Sequence, residues 1–276
     1  MAGMTDGDFL AVPGGRLYYE VSGSGPALVL IHAGIANLRM WDPQVPEFAQ
    51  QYRVIRYDTR GYGRTDCEHV EYRNNADVAA LLDHLGESSA HVVGCSRGGS
   101  IALDFTLAYP DRARSLVFVC GGIGGYETDV SPEAAERSDT MEAESEAAWD
   151  AKDWVRLANL ETAYWVDGPG QSVDRVDPEL RAMVYRWILE TYADEKEEGL
   201  PQRLDPPAFE RLANLRLPIL AMAGEFDEAH TTASCRHLAD VVPGASFRLI
   251  DGVAHLPNLE RPDEFTRWVL DFLATV

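Results

Sequence analysis

Short apolar segments alternate with stretches of helical periodicity, and this alternation constrains the fold more than any other feature of the sequence. Ala27–Ile31 is a continuous apolar run of the kind that is buried on both faces of a sheet. Strands that alternate with helices predict βαβ units and a mostly parallel sheet. The other expected strands are Arg16–Val21, Arg53–Tyr57, His91–Cys95, Ser115–Val119, Pro218–Ala223 and Ser246–Ile250, and the helices between and after them are Asn74–Leu85, Arg97–Ala108, Thr231–Val241 and Asp263–Ala274.

This alternation stops at Cys120 and resumes at Pro218. The segment between them has helical patterns at Glu133–Trp149, Trp154–Tyr164 and Pro178–Tyr192, and no strand candidate. The sequence therefore predicts a core made of residues 1–125 and 214–276, interrupted by a helical cap of residues 126–213.

The charge of the chain is strongly acidic and unevenly spread. Its 45 acidic and 24 basic residues give a net charge of −21, of which −13 lies between Glu127 and Glu198, the expected cap, and −8 elsewhere. Such a field repels nucleic acids and anionic membrane surfaces. We therefore expect a small-molecule partner, and an acidic solvent face on the cap.

Targeting and metal-binding signals are not apparent in the sequence. Residues 1–10 are acidic where a secretory signal is basic, and the longest apolar run, residues 27–36, is too short to cross a bilayer. The four cysteines form no C-x-x-C pair. These features predict a cytoplasmic protein with reduced cysteines and no metal or other cofactor.

A glycine-rich turn, Gly94-Cys95-Ser96-Arg97-Gly98-Gly99, lies directly between an expected strand and an expected helix. In that context the pattern G-x-S-x-G predicts a sharp turn that holds the serine in a strained backbone conformation. Glycines are needed there because a Cβ would clash with neighbouring backbone. The helix that begins at Arg97 directs free N–H groups at negative charge that develops near Ser96.

In this turn and in further motifs the chain resembles the alpha/beta-hydrolase superfamily over nearly its whole length. The resemblance implies a mostly parallel eight-stranded sheet flanked by helices, with the cap inserted after the sixth strand. The further motifs, in the order of the family, are His32-Ala33-Gly34, Asp58-Thr59-Arg60-Gly61-Tyr62-Gly63-Arg64-Thr65, Gly224-Glu225-Phe226-Asp227 and Gly252-Val253-Ala254-His255.

The resemblance also implies a catalytic triad with the chain order Ser, Asp, His. Ser96 is the expected nucleophile, and His255 is the base that activates it and later the general acid. Asp227 is expected to orient the imidazole and to stabilise its charged form. Glu225, two residues earlier, is the alternative acid.

Backbone N–H groups of Arg97 and of the His32 loop are expected to stabilise the oxyanion. Gly34 aligns with the second donor, but Ala33 replaces the usual glycine before it, so Ile35 is an alternative. Candidate substrate-binding side chains are those of Ile35, Arg97, Trp165 and Trp187. For Arg97, the sequence leaves open an ion pair with an acidic residue or a contact with an anionic substrate.

The serine nucleophile argues against haloalkane dehalogenases and epoxide hydrolases, which use an aspartate. The stretches 39–44 and 165–169 are similar to those of 3-oxoadipate enol-lactonase-like esterases and lactonases. The expected activity is hydrolysis of a small carboxylic ester or lactone through an acyl-enzyme. A C–C bond hydrolase, a cofactor-free lyase or oxygenase, and a non-catalytic small-molecule receptor are the alternatives.

Overall fold

A computed structural model describes residues 7–276 and contains one large sheet. Eight strands follow one another across it in the order β1-β2-β4-β3-β7-β8-β10-β11, and a ninth, β5, pairs with β2. The pairs β1–β2 and β2–β4 are antiparallel, and the rest of the eight-strand path is parallel. The strands are β1 (Asp8–Val12), β2 (Gly15–Ser22), β3 (Ala27–Ile31), β4 (Arg53–Tyr57), β5 (Asp66–Cys67), β6 (Glu71–Tyr72), β7 (Ala90–Cys95), β8 (Ala113–Val119), β9 (Leu200–Pro201), β10 (Ile219–Gly224) and β11 (Ser246–Ile250).

Helices cover both faces of this sheet. Leu82, Phe105 and Leu238, from α2, α3 and α8, belong to one buried apolar cluster, and Phe48 and Phe265, from α1 and α10, belong to the other. The helices are α1 (Val45–Phe48), α2 (Asn74–Leu85), α3 (Arg97–Ala108), α4 (Pro132–Asp150), α5 (Trp154–Glu161), α6 (Pro178–Ala193), α7 (Ala208–Arg211), α8 (Ala229–Val241), α9 (Pro257–Glu260) and α10 (Pro262–Leu273).

The predicted fold class is confirmed. All five residues of β3 are buried, which explains why this central parallel strand is continuously apolar in sequence. The helices α4, α5 and α6 follow β8, the sixth of the eight strands in chain order. Within the described residues, no helix is both long and apolar enough to cross a membrane.

The helix α4 is attached to the rest of the molecule by little apolar surface. Of its nineteen residues only Ala148 is buried. Seven of the nineteen are acidic and one, Arg137, is basic. The acidic face expected for this part of the chain is therefore largely solvent-exposed.

The structure differs from the sequence prediction in several places, including the following three. Asp8–Val12 adds an unpredicted strand, joined to β2 by a tight turn in which Gly14 has a φ of 70°. The short strand β9 pairs with β6 where no strand was expected, because a two-residue strand leaves no periodic pattern. The helix expected over residues 154–164 ends at Glu161 and continues as a π-helical turn, Thr162–Asp167.

Candidate active site

Ser96 follows β7 directly and precedes α3, with a φ of 55° and a ψ of −121°. A positive φ is uncommon for a residue other than glycine and marks a strained turn. A Cβ on Gly94 would overlap the carbonyl oxygen of Gly98, and one on Gly98 would overlap that of Ile31. The glycines are thus required where the turn packs against its neighbours, as the sequence suggested.

Asp227 and His255 follow the adjacent parallel strands β10 and β11. His255 Nδ1 lies 2.7 Å from Asp227 Oδ1, and the two side chains are 3% and 1% exposed. Glu225 points elsewhere, because its Oε2 accepts the backbone N–H of Gly252 at 2.8 Å. Ser96 follows β7 in the same parallel portion of the sheet, where the carboxyl ends of strands form ligand-binding crevices.

The π-helical turn reaches His255. The Trp165 ring centroid lies 4.4 Å from that of His255, with 42° between the ring planes, and the Trp165 carbonyl accepts the His255 N–H at 3.3 Å. The Tyr192 hydroxyl donates to Glu161 Oε1 at 3.4 Å, and burial raises the pKa of Glu161. An extra residue per turn is common at functional sites, and here it occurs where Trp165 covers the imidazole.

The His32 loop is braced by its own histidine. His32 Nδ1 lies 2.7 Å from the Ala33 carbonyl and donates to it, while Nε2 accepts the Thr59 N–H at 2.9 Å. Burial lowers the pKa of His32 to about 3, so the ring is neutral. In a trans peptide the N–H points opposite to the C=O, so the Gly34 N–H is directed away from the His32 ring.

Arg97 lies beside this loop. A Cβ on Gly34 would stand 3.6 Å from Arg97 Cβ. Arg97 Nη1 donates to Thr59 Oγ1 at 2.5 Å, and the guanidinium lies over the Tyr62 ring, 4.8 Å from its centroid. No carboxylate of residues 7–276 lies within 4.0 Å of its guanidinium nitrogens, so the alternative of an ion pair is not observed.

The remaining candidates for substrate binding pack within the apolar core. Ile35 is 7% exposed and belongs to the same buried cluster as Phe48, and Trp187 on α6 packs against that cluster. Sequence reasoning missed Cys120, whose sulfur lies within 4.8 Å of a carboxylate oxygen of Asp227 and a ring nitrogen of His255. The signal that could have identified it is its place at the end of β8, the strand next to β7.

A groove beside α4 extends to Asp227. Two cavities, of about 570 and 220 Å³, share the lining residues Arg137 of α4, Tyr164, Pro169 and Gln171. The smaller cavity is also lined by Asp227. The helix α4 therefore forms one wall of a groove that extends to Asp227, whose carboxylate is itself buried.

Proteins similar to this chain are alpha/beta hydrolases. Residues 26–141 match the family model described as the alpha/beta hydrolase fold. A 2-hydroxy-6-oxononadienedioate/2-hydroxy-6-oxononatrienedioate hydrolase of Burkholderia vietnamiensis is 30% identical in an alignment that covers 94% of this chain and 91% of that protein. Carboxylesterase YbfK of Bacillus subtilis is 27% identical over 94% of this chain and 84% of its own length.

A solved structure agrees with these relatives. The enol-lactonase from Burkholderia xenovorans LB400 matches with a TM-score of 0.74 at 28% identity, over 97% of this chain and 100% of that one. Similarity to enzymes along the whole chain favours catalysis over the receptor alternative. The chain belongs to the alpha/beta-hydrolase family and is a hydrolase.

Proposed function

We propose that this protein hydrolyses a small carboxylic ester or lactone through an acyl-enzyme formed on Ser96. The observation that carries this proposal is the buried 2.7 Å contact between His255 and Asp227, at the same end of the sheet as a serine on a strained turn. A carboxylate on Nδ1 fixes the tautomer in which Nε2 is free to accept a proton.

In the proposed mechanism, Ser96 Oγ attacks the carbonyl carbon while His255 Nε2 takes the hydroxyl proton. The charged imidazole is stabilised by Asp227 and then protonates the leaving alkoxide. Water attacks the acyl-enzyme by the reverse sequence, with His255 again as the base, and the acid is released. For a lactone the leaving alkoxide and the acyl group belong to one molecule.

Two backbone donors are proposed for the oxyanion. The Arg97 N–H is the first of α3 and has no acceptor within the helix. The Gly34 N–H lies next to Arg97, on a loop held by His32. We propose these two donors, in preference to Ile35, because the bond from His32 to the Ala33 carbonyl fixes the peptide that carries the Gly34 N–H.

The substrate is proposed to lie between a core (residues 1–125 and 214–276) and a cap (residues 126–213). The Trp165 ring packs on the His255 ring from the cap side. Arg97 has no carboxylate partner among the described residues and is the proposed contact for an anionic group of the substrate. Relatives named as a carboxylesterase and an enol-lactonase support the ester or lactone class.

Replacing Ser96 with alanine tests the proposal. With short p-nitrophenyl esters and with simple lactones, we expect Ser96→Ala to lower kcat by at least about 10³-fold and to abolish labelling by a fluorophosphonate. Ser100→Ala is the matched control, because that hydroxyl lies one turn further along α3 and donates to the Gly122 carbonyl at 2.7 Å. Equal activity of wild type and Ser96→Ala would refute the assignment.

A C–C bond hydrolase is the second candidate. It is favoured by the 30% identity to a hydrolase named for a 2-hydroxy-6-oxo dienedioate. In that reaction the same three residues would act on a ketone, and the leaving group would be a carbon. A vinylogous diketone that is cleaved much faster than any ester or lactone would favour this candidate over the first.

A further inference from the structure

Cys120 occupies the place on β8 that Ser96 occupies on β7. Cys95 is paired with Val119 in the parallel register of these strands, so Ser96 and Cys120 are the next residues of the two chains. Four residues other than glycine have a positive φ in the described part of the chain. Ser96 and Cys120 are two of them, with φ of 55° and 47°. A positive φ therefore occurs directly after each of the neighbouring strands β7 and β8.

Such a conformation is unfavourable for a residue with a side chain, and it persists only where the surroundings impose it. Here the Cys120 N–H donates to the Met222 carbonyl at 2.8 Å, which ties the turn to β10. The Cys120 side chain is 1% exposed. A glycine would relieve the strain, and a cysteine in its place indicates a use for the thiol.

The acid beside this thiol has an unused oxygen. Asp227 Oδ1 lies 2.7 Å from His255 Nδ1 and also accepts the Glu228 N–H at 2.7 Å. Oδ2 is buried and has no hydrogen-bond partner within residues 7–276. A buried carboxylate oxygen without a donor is costly, so a donor close to it is expected.

The Cys120 thiol lies beside this carboxylate, because its sulfur is within 4.8 Å of an oxygen of Asp227. Burial, and after it the negative charge of Asp227, hold the pKa of this thiol well above its ordinary value, so the thiol keeps its proton. The other two buried thiols differ: Cys95 is 3.6 Å from the His255 carbonyl, and Cys235 is 4.0 Å from that of Gly121.

We propose that Cys120 is a positioning residue whose thiol donates a hydrogen bond to Oδ2 of Asp227. This bond holds the carboxylate so that Oδ1 faces the imidazole, and it stabilises the negative charge that the imidazolium requires. The proposal rests on the proposed function, in which Asp227 supports His255. It extends the expected triad by a residue that touches the acid and does not touch the substrate.

The test compares Cys120→Ala and Cys120→Ser with the control Cys235→Ala, which removes a buried thiol that faces a carbonyl. Alanine and serine have a Cβ, as cysteine does, so all three residues are strained to a similar degree at the positive φ of position 120. For p-nitrophenyl acetate we expect Cys120→Ala to lower kcat about three- to tenfold at constant KM, and Cys120→Ser to restore it to within about twofold. We expect Cys235→Ala to keep the wild-type kcat.

A proton NMR spectrum supplies a readout that packing alone would not change. The far-downfield resonance of the His255 Nδ1 proton should shift in Cys120→Ala and be recovered in Cys120→Ser. The inference is overturned if alanine retains full kcat, or if serine is no better than alanine. If Cys120→Ala does not fold, loss of the wild-type resonance position in the folded serine variant overturns it. Activity that does not depend on Ser96 would instead overturn the proposed function.

Discussion

Arg175 ties the π-helical turn to the loop that carries His255, and its removal is the most informative perturbation of this structure. Its guanidinium donates to the carbonyls of Val166 at 2.6 Å and Asp167 at 2.7 Å, both in the π-helical turn. It also donates to the Gly252 carbonyl at 2.9 Å and to Glu260 Oε2 at 2.5 Å. The two charged side chains are 12% and 8% exposed.

Arg175→Met keeps most of the apolar stem and removes all four hydrogen bonds. It leaves Glu260 buried without its cation, and breaking a buried pair from one side costs about 3–5 kcal/mol. For a chain of this size we expect the Tm to fall by about 6–15 °C. Because Glu260 Oε1 also accepts the Ala254 N–H at 2.8 Å, next to His255, we expect kcat to fall as well.

The assay is thermal unfolding of Arg175→Met, Glu260→Gln and the double variant, with activity measured well below the lowest Tm. We expect a coupling of about 1–3 kcal/mol between the two sites. Arg16→Met is the control, because the Arg16–Asp66 pair is 59% and 57% exposed and contributes less than about 1 kcal/mol. If Arg175→Met lowers the Tm no more than Arg16→Met does, Arg175 does not stabilise the contact between the π-helical turn and the loop that carries His255, and the reasoning is wrong.

Two further predictions concern the π-helical turn and a buried acid. Trp165→Leu should lower kcat for a p-nitrophenyl ester about two- to tenfold, because it removes the ring packed on His255, whereas Trp149→Leu, at a ring that is 50% exposed, should not. Burial raises the pKa of Asp104 to about 6, above about 3.9 in the unfolded chain, so this residue's contribution to stability is lost as the pH rises from 4 through 6. Asp104→Asn should therefore raise the free energy of unfolding by about 1–2 kcal/mol at pH 8. A gain of the same size at pH 4 in chemical denaturation would contradict this.

Much of the fold is readable from the sequence because short strands alternate with helices of regular periodicity, and the central strand Ala27–Ile31 is buried and apolar throughout. Ala27–Ile31, Arg53–Tyr57 and Ser246–Ile250 have the predicted bounds. The π-helical turn was not predictable, because residues 154–164 have ordinary helical periodicity in sequence and an extra residue per turn leaves no separate pattern. The contact of Trp165 with His255 brings together positions ninety residues apart, and local pattern carries no information about such contacts.

The candidate site divides in the same way. The turn around Ser96 was visible because its glycines are imposed locally, and the assignment of the three catalytic roles stays a prediction. Cys120 was taken for an ordinary free thiol. Its closeness to Asp227 depends on the register of β8 against β7 and on a strained φ, and neither leaves a motif in the sequence.

The weak attachment of α4 has a consequence for local stability. A helix with a single buried side chain gains little from packing, so its local unfolding requires much less free energy than global unfolding. Its amide hydrogens should exchange far faster than those of α3. Salt screens the repulsion among its seven acidic residues and so favours the folded helix. The helix α4 also lines the groove that extends to Asp227. Higher ionic strength should therefore lower the fraction of molecules in which α4 unfolds and this groove opens.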